Sequence, residues 1–221
     1  MAEGTHHEFD ITINDERFTI HSRPGVFSWR EFDAGTRALL ENLPVLSTDR
    51  VLDVGCGYGV VGLYAARRAL KGEVTMVDAD ALAIACARET AAANGLEERV
   101  ELLLGDGLQA VAGRRFTLIA SNPPFHTGHA VNSEVAESFV RGAFDALEPR
   151  GRLVIVANRF LPYDRLMTEL FGAVEALAQT PQYHVLCAEK VHERRARGKL
   201  SKAQRQQTEL DEWMAQAKAL E

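Results

Sequence analysis

The sequence predicts an α/β protein: a mostly parallel seven-stranded sheet, its last strand antiparallel, with helices on both faces, an N-terminal β-hairpin and a C-terminal helical tail. Three observations carry that expectation. From residue 50 onward, short apolar runs alternate with segments of helical period, the pattern of stacked βαβ units. A cluster of glycines follows the first run directly. The last two runs are parted only by Thr180-Pro181-Gln182, too short for a parallel crossover, so they form an antiparallel hairpin.

The elements follow in order. Phe9, Ile11 and Ile13 alternate with polar residues, as do Phe18 and Ile20, and Asn14-Asp15-Glu16 between them reads as a hairpin turn. Helical spacing runs from about 32 to 43 and stops before Pro44. Strands are expected at 50–55, 74–78, 100–104, 116–121, 152–157, 173–179 and 183–188, with helices near 60–70, 81–94, 133–147 and 163–171. After Gly198 the composition shifts to Lys, Gln, Ala and Glu, and Ser201 is placed to cap a helix whose Leu210, Trp213, Met214, Ala217 and Leu220 share one stripe. That stripe packs against the domain or against a second copy of the chain, so monomer and homodimer both stay open. The expected division is residues 1–30 as hairpin and covering segment, 31–189 as the main domain and 190–221 as a basic tail with an amphipathic helix.

Composition excludes several classes. A length of 221 residues is roughly 1.5 times that of a typical domain, which favours one sizeable core with appendages. With 46% hydrophobic and 25% charged residues the chain is an ordinary globule, not a disordered one. Apolar runs such as 153–157 fall far short of the ~20 residues a bilayer span needs. The polar start lacks a signal peptide's apolar segment, so a cytoplasmic protein without membrane contact is expected. Cys56, Cys86 and Cys187 form no C-x-x-C pair and read as small buried side chains. His126 and His129 lack the further ligands that a metal ion needs, so no metal is expected. The net charge of −6 hides a strip over 190–205 where Lys190, Arg194, Arg195, Arg197, Lys199, Lys202 and Arg205 face one acid, Glu193. Such a strip suits a phosphate backbone or a solvated helix face.

The residues that carry chemistry sit where strands end. Val51-Leu52-Asp53-Val54 runs straight into Gly55-Cys56-Gly57-Tyr58-Gly59, where glycines let the backbone turn sharply and approach a ligand closely. Gly57-x-Gly59-x-x-Gly62, with Asp78 downstream, also matches the dinucleotide pattern. Asp53 tilts the balance, because its carboxylate repels a pyrophosphate and attracts an amino acid's ammonium. The chain also leaves little room for a dehydrogenase's substrate domain. Asp78 is placed for ribose hydroxyls and Asp106 for an adenine amine. The sharpest signal is Ser121-Asn122-Pro123-Pro124-Phe125: two prolines stiffen the backbone, and an Asn oxygen with a proline carbonyl can cradle one planar NH₂ group. Phe125 adds a face on which an unstacked base can lie.

These residues resemble the class I S-adenosylmethionine-dependent methyltransferases, which are Rossmann-like. Within that class the chain looks like the methyltransferase small domain group, the RsmC and RlmG type, that modifies the N2 amine of guanine in ribosomal RNA. The resemblance spans about 18–190 and includes His21-Ser22-Arg23-Pro24-Gly25-Val26-Phe27-Ser28, Asp33, Gly35-Thr36 and Val156-Ala157-Asn158-Arg159-Phe160-Leu161-Pro162-Tyr163. It implies S-adenosylmethionine contacts at Phe27, Thr36, Asp53, Gly55, Gly57, Asp78, Asp106 and Asn122. It implies a catalytic Asn122-Pro123-Pro124-Phe125 loop, with Phe125, Asn158, Arg159 and Phe160 toward a ribosomal RNA or ribosomal subunit particle. The segment from Pro24 to Thr36 is expected to close over the cofactor, and the Asn158 to Tyr163 loop to face the RNA.

Longer members carry a second, degenerate methyltransferase-like domain ahead of this one; here the basic tail is expected to supply the missing RNA grip. Adenine-N6 and protein-glutamine methyltransferases use similar Asn-Pro-Pro-aromatic loops and are the enzymatic alternatives. The latter usually carry Tyr at the aromatic position and an N-terminal helical domain, neither found here. A degenerate, RNA-binding methyltransferase-like domain is the non-enzymatic alternative, and intact Asp53, Gly55, Gly57 and Asn122 argue against it.

Overall fold

The structure, a computed structural model, describes residues 6–123 and 129–191, the side chains of 129–133 excepted. Pro124, Phe125, His126, the helix expected after Gly198 and most of the basic strip lie outside the described residues.

β1 (His7–Ile13) and β2 (Glu16–Ser22) pair antiparallel around Asn14 and Asp15. Both turn residues have positive φ, 47° and 65°, as a tight two-residue hairpin demands. The hairpin's apolar face, Ile11, Ile13, Phe18 and Ile20, is buried in the main core. Asn94 clamps it, accepting from the Thr19 amide at 3.2 Å and donating to the Thr19 carbonyl at 2.7 Å.

Then come α1 (Ala34–Glu41), β3 (Arg50–Val54), α2 (Val60–Ala66), β4 (Glu73–Asp78), α3 (Ala81–Ala93), β5 (Glu101–Leu104) and a 3₁₀ turn at Gly107–Val111. β6 (Phe116–Ser121), α4 (His129–Ala146), β7 (Leu147–Asn158), α5 (Tyr163–Phe171), β8 (Glu175–Gln179) and β9 (Tyr183–Glu189) complete the order. The sheet runs β5-β4-β3-β6-β7-β9-β8, with β9 antiparallel to both neighbours, as the short Thr180-Pro181-Gln182 connection predicts. Strand order reverses between β3 and β6, and in such sheets a crevice opens beyond the carboxyl ends at that point.

Alternation along the central strands feeds two cores. Val51, Leu118 and Val154 point to one face, where Leu39 and Leu40 of α1, Leu63 of α2 and Ile84 of α3 cover them. Leu52, Ile119, Leu153 and Ile155 point to the other, beneath Val140 and Phe144 of α4 and Met167 and Phe171 of α5. Strands buried on both faces read as continuous apolar runs, which is why they were legible.

Three expectations are corrected. α2 stops at Ala66, short of residue 70, because the chain must turn back on itself there: the Lys71 amide donates to the Ser47 carbonyl at 2.8 Å. Cys187 is only half-buried, whereas Cys56 and Cys86 are buried. Lys190, counted in the basic strip, is buried, with Nζ donating to the carbonyls of Phe144 and Leu147 at 2.8 Å each. Its charge caps the end of α4, so it is not a phosphate contact.

One polar cluster ties the amino ends of the sheet together. Buried Asp49 accepts from Arg152 Nη2 at 2.6 Å, from Thr117 Oγ1 at 2.8 Å and from the Leu46 amide at 2.7 Å. Asp49→Ala strands the Arg152 guanidinium, and urea unfolding is expected to register a loss of about 3–5 kcal/mol. A loss below ~1 kcal/mol would mean that the pair is solvated.

Candidate active site

A cavity of about 920 Å³ opens where the strand order reverses, at the carboxyl ends of β3, β4, β5 and β6. It lies within the ~300–1,000 Å³ range of small-molecule sites. Phe27, Thr36, Asp53, Gly55, Gly57, Asp78, Asp106, Asn122 and Pro123 all line it, so all eight expected cofactor residues converge on one space.

The floor is the turn after β3. Gly55 and Gly57 have φ of +71° and +55°, and a Cβ on either would meet nothing within 4 Å, so the bare backbone faces open space. Gly59 and Gly62 serve packing instead: a Cβ on Gly62 would lie 2.4 Å from Met76 Cγ. The Gly55 and Cys56 amides donate to the Val77 carbonyl at 2.9 and 3.0 Å, which pins the turn to β4.

The acids differ in environment. Asp53 is 1% exposed, and its Oδ2 accepts from the Gly62 amide at 2.9 Å. Burial raises its pKa to about 7, against the opposing Gly62 bond and with a further push from the Asp78 charge. Asp78 Oδ2 accepts from the Gly57 amide at 2.8 Å and Oδ1 from the Asp80 amide at 2.9 Å, so its carboxylate is held rigidly with lone pairs to spare. The cap of α3 is Asp80, which accepts from the Leu82 amide at 2.8 Å. Asp106 is exposed at the cavity's far side and meets Gln109 Nε2 at 3.3 Å. Burial, first, and the Asp53 and Asp78 charges raise the Cys56 thiol well above its ordinary pKa, making it an inert wall rather than a nucleophile.

Asn122 stands at the end of β6. Ser121 Oγ donates to the Val54 carbonyl at 2.7 Å, fixing that end against β3, and buried Pro123 follows. The Asn122 Nδ2 donates to Asp33 Oδ2 at 3.0 Å and to Thr36 Oγ1 at 2.9 Å. Its Oδ1 is buried and has no hydrogen-bond partner among the described residues. Thr36, expected at the cofactor, thus has its hydroxyl committed to Asn122 and Asp33.

Not every expected residue joins the cavity. Asn158, Arg159 and Phe160 sit at the end of the neighbouring strand β7 and beyond it, with Phe160 79% exposed. Tyr163, where the expected RNA-facing loop ends and the expected helix begins, opens α5, is buried and packs edge-on against Phe139. Sequence reasoning missed Tyr58 and the α4 residues Ser138 and Phe139, which line the cavity. The Asp33-x-x-Thr36 spacing signals a helix cap, and nothing in it signals the partnership with Asn122. Among the described residues no three His, Cys, Asp or Glu side chains converge as metal ligands, and no helix is long and apolar enough to cross a membrane.

Residues 17–187 match the Methyltransferase small domain family, and the chain belongs to it. Ribosomal RNA small subunit methyltransferase C of Pseudoalteromonas atlantica is 37% identical over 188 residues, covering 81% of this chain and 54% of that protein. The Salmonella choleraesuis protein of the same name is 42% identical over 172 residues, or 78% of this chain and 49% of its own length. A solved structure, the T. thermophilus 16S rRNA N2 G1207 methyltransferase (RsmC) in complex with AdoMet and guanosine, superposes with a TM-score of 0.74. It is 35% identical and is covered over 84% of this chain and 50% of its own. The chain spans about half the length of the curated relatives it matches.

The raised pKa of Asp53 has a pH signature. Its folded value near 7 exceeds the ordinary 3.8, so between those values the folded state holds a proton that the unfolded state has lost. Stability therefore falls as pH rises from about 4 to about 7 and levels off above. Asp53→Asn, which keeps an acceptor for the Gly62 amide, is expected to remove that slope in thermal unfolding between pH 4 and 8. An identical slope in the variant would assign the proton elsewhere.

Proposed function

We propose that the chain transfers a methyl group from S-adenosylmethionine to the exocyclic N2 amine of a guanine in small-subunit ribosomal RNA. The observation that carries this reading is the Asn122 amide of the cavity lining, with both N–H bonds engaged and a buried oxygen without a donor among the described residues. A buried acceptor of that kind costs stability unless a ligand supplies the missing hydrogen.

The cavity residues suit the cofactor. Asp78 has free lone pairs for two ribose hydroxyls, and the bare backbone of Gly55 and Gly57 leaves room for the amino-acid portion. Asp53, buried beside that turn, is matched to an ammonium, whose charge restores the ionised carboxylate. Phe27 and Asp106 are assigned to the adenosine end. S-adenosylmethionine, when bound, supplies an electrophilic methyl group on a sulfonium.

The protein's own part is orientation. Asn122 Oδ1 accepts one hydrogen of the guanine amine and the Pro123 carbonyl accepts the other, which directs the nitrogen lone pair out of conjugation and into the cavity. Holding that geometry, rather than a strong base, supplies most of the acceleration. The alkylated nitrogen is acidic enough to release its proton to water. Pro124 and Phe125, outside the described residues, are assigned to the catalytic motif, and the exposed Arg159 and Phe160, with Asn158, are assigned to RNA around a base swung from its stack. The T. thermophilus structure with guanosine supports guanine over adenine as the base.

Asn122→Ala is expected to lower kcat by roughly 10²–10³, as loss of an oriented polar contact to the transition state does, while calorimetry finds S-adenosylmethionine affinity nearly unchanged. Wild-type turnover in that variant would reject the assignment. The tail is assigned to RNA through Arg194, Arg195, Arg197, Lys199, Lys202 and Arg205. Because Lys190 caps α4, truncation after Val191 is the appropriate test. It is expected to weaken RNA binding and to flatten the dependence of log Kd on log salt. An unchanged slope would assign the tail elsewhere.

A further inference from the structure

We infer that Asp33 and Thr36 are positioning residues that lock the Asn122 amide with its oxygen turned away from them and free to meet a substrate amine. The inference rests on the proposed transfer to an amine and adds two residues that the reaction needs without their touching substrate.

The proton count leaves one arrangement. Asn122 offers two N–H donors and one carbonyl acceptor. One donor meets Asp33 Oδ2 at 3.0 Å and the other meets Thr36 Oγ1 at 2.9 Å. Thr36 has a single hydroxyl hydrogen, which goes to the same Asp33 Oδ2 at 3.0 Å, so only its lone pairs face Asn122. Asp33 Oδ2 thus collects three donors, the third being the Thr36 amide at 2.6 Å. A flipped Asn122 would point its oxygen at a carboxylate oxygen and at a hydroxyl whose hydrogen is already used. Every route to the flipped state meets repulsion, so Oδ1 stays turned away from Asp33 and Thr36.

Two further observations agree. Asp33 is the N-cap of α1, so the clamp is anchored to a helix rather than to a loop. Gly35 leaves the carboxylate its space: a Cβ there would lie 3.1 Å from Asp33 Oδ2, tighter than ordinary contact. Glycine is a poorer helix former than alanine, and its presence in the first turn follows from that space. The acid also acts electronically, since a carboxylate on the amide's N–H side draws the dipole so that Oδ1 becomes the stronger acceptor.

The test uses the full chain with Thr36→Val, Thr36→Ser and Asp33→Asn. Thr36→Val keeps the volume and removes the acceptor, Thr36→Ser keeps the hydroxyl, and Asp33→Asn keeps a cap and an acceptor without the charge. Methyl transfer from S-adenosylmethionine to 16S ribosomal RNA in small subunits gives kcat and KM, and calorimetry gives S-adenosylhomocysteine affinity. In Thr36→Val, kcat is expected to fall about 10- to 100-fold, the penalty of a reacting group misplaced by up to an ångström. S-adenosylhomocysteine affinity should stay at its wild-type value, the thermal midpoint of Thr36→Val should fall by a few degrees because an Asn122 N–H loses its acceptor, Thr36→Ser should restore kcat, and Asp33→Asn should fall between the two. Independently of any substrate, the Asn122 side-chain amide protons in ¹⁵N-labelled protein should exchange slowly in wild type and Thr36→Ser and rapidly in Thr36→Val. Wild-type kcat in Thr36→Val, no rescue by Thr36→Ser, or a parallel loss of S-adenosylhomocysteine affinity would overturn the inference. Wild-type protein that methylates no guanine defeats the proposed reaction instead, while the amide exchange still decides the clamp.

Discussion

The candidate site depends on a hydrogen bond between residues 89 apart in sequence, from the Asn122 amide to the Asp33 carboxylate. Two parts of the fold must be in place before it can form. The α/β sheet delivers Asn122 to the end of β6, beside β3 at the reversal of strand order, and Ser121 pins that end through the Val54 carbonyl. α1 delivers Asp33 as its N-cap. The bond is half-buried and so stronger than in open water, and the buried Asn122 oxygen, without a donor among the described residues, is costly. The site therefore carries a cost that the surrounding core must offset.

The same trade recurs at Asp53. A buried acid near the end of β3 lowers stability above its pKa, and an apolar residue would pack there more cheaply. Its value lies in the cavity, where a bound cation can reclaim the desolvation cost. The glycine turn divides its labour in a comparable way. Gly55 and Gly57 leave space for a ligand, whereas Gly59 and Gly62 let α2 lie close to Met76 and α3. The first pair belongs to binding and the second to the fold, although all four stand in one short motif.

Much of this was legible before any coordinates, and for physical reasons. Strands such as β3 and β6 are buried on both faces, so their apolar runs stand out, and the three-residue link before β9 admits only an antiparallel pairing. The carboxyl-edge acids Asp53, Asp78 and Asp106 were readable because strand ends in such sheets face one crevice. The Asp33–Thr36–Asn122 network was not readable as a network, because no local pattern shows which distant side chain a helix cap will meet. Lys190 was misread because charge on a sequence says nothing about burial, and a lysine can reach helix carbonyls with its ammonium fully satisfied. Tyr163 was placed correctly at the start of α5, but its position at the end of a polar loop motif gave no sign that its ring is buried against Phe139.

The central claim is chemical, that the cavity directs a methyl group onto a guanine amine of RNA. Its most direct measurement is nucleoside mass spectrometry of 16S ribosomal RNA after incubation of small ribosomal subunits with the purified chain and S-adenosylmethionine bearing a deuterated methyl group. Label recovered in N2-methylguanosine is the predicted result. Label recovered in N6-methyladenosine, or none in the RNA despite measurable cofactor binding, would contradict it.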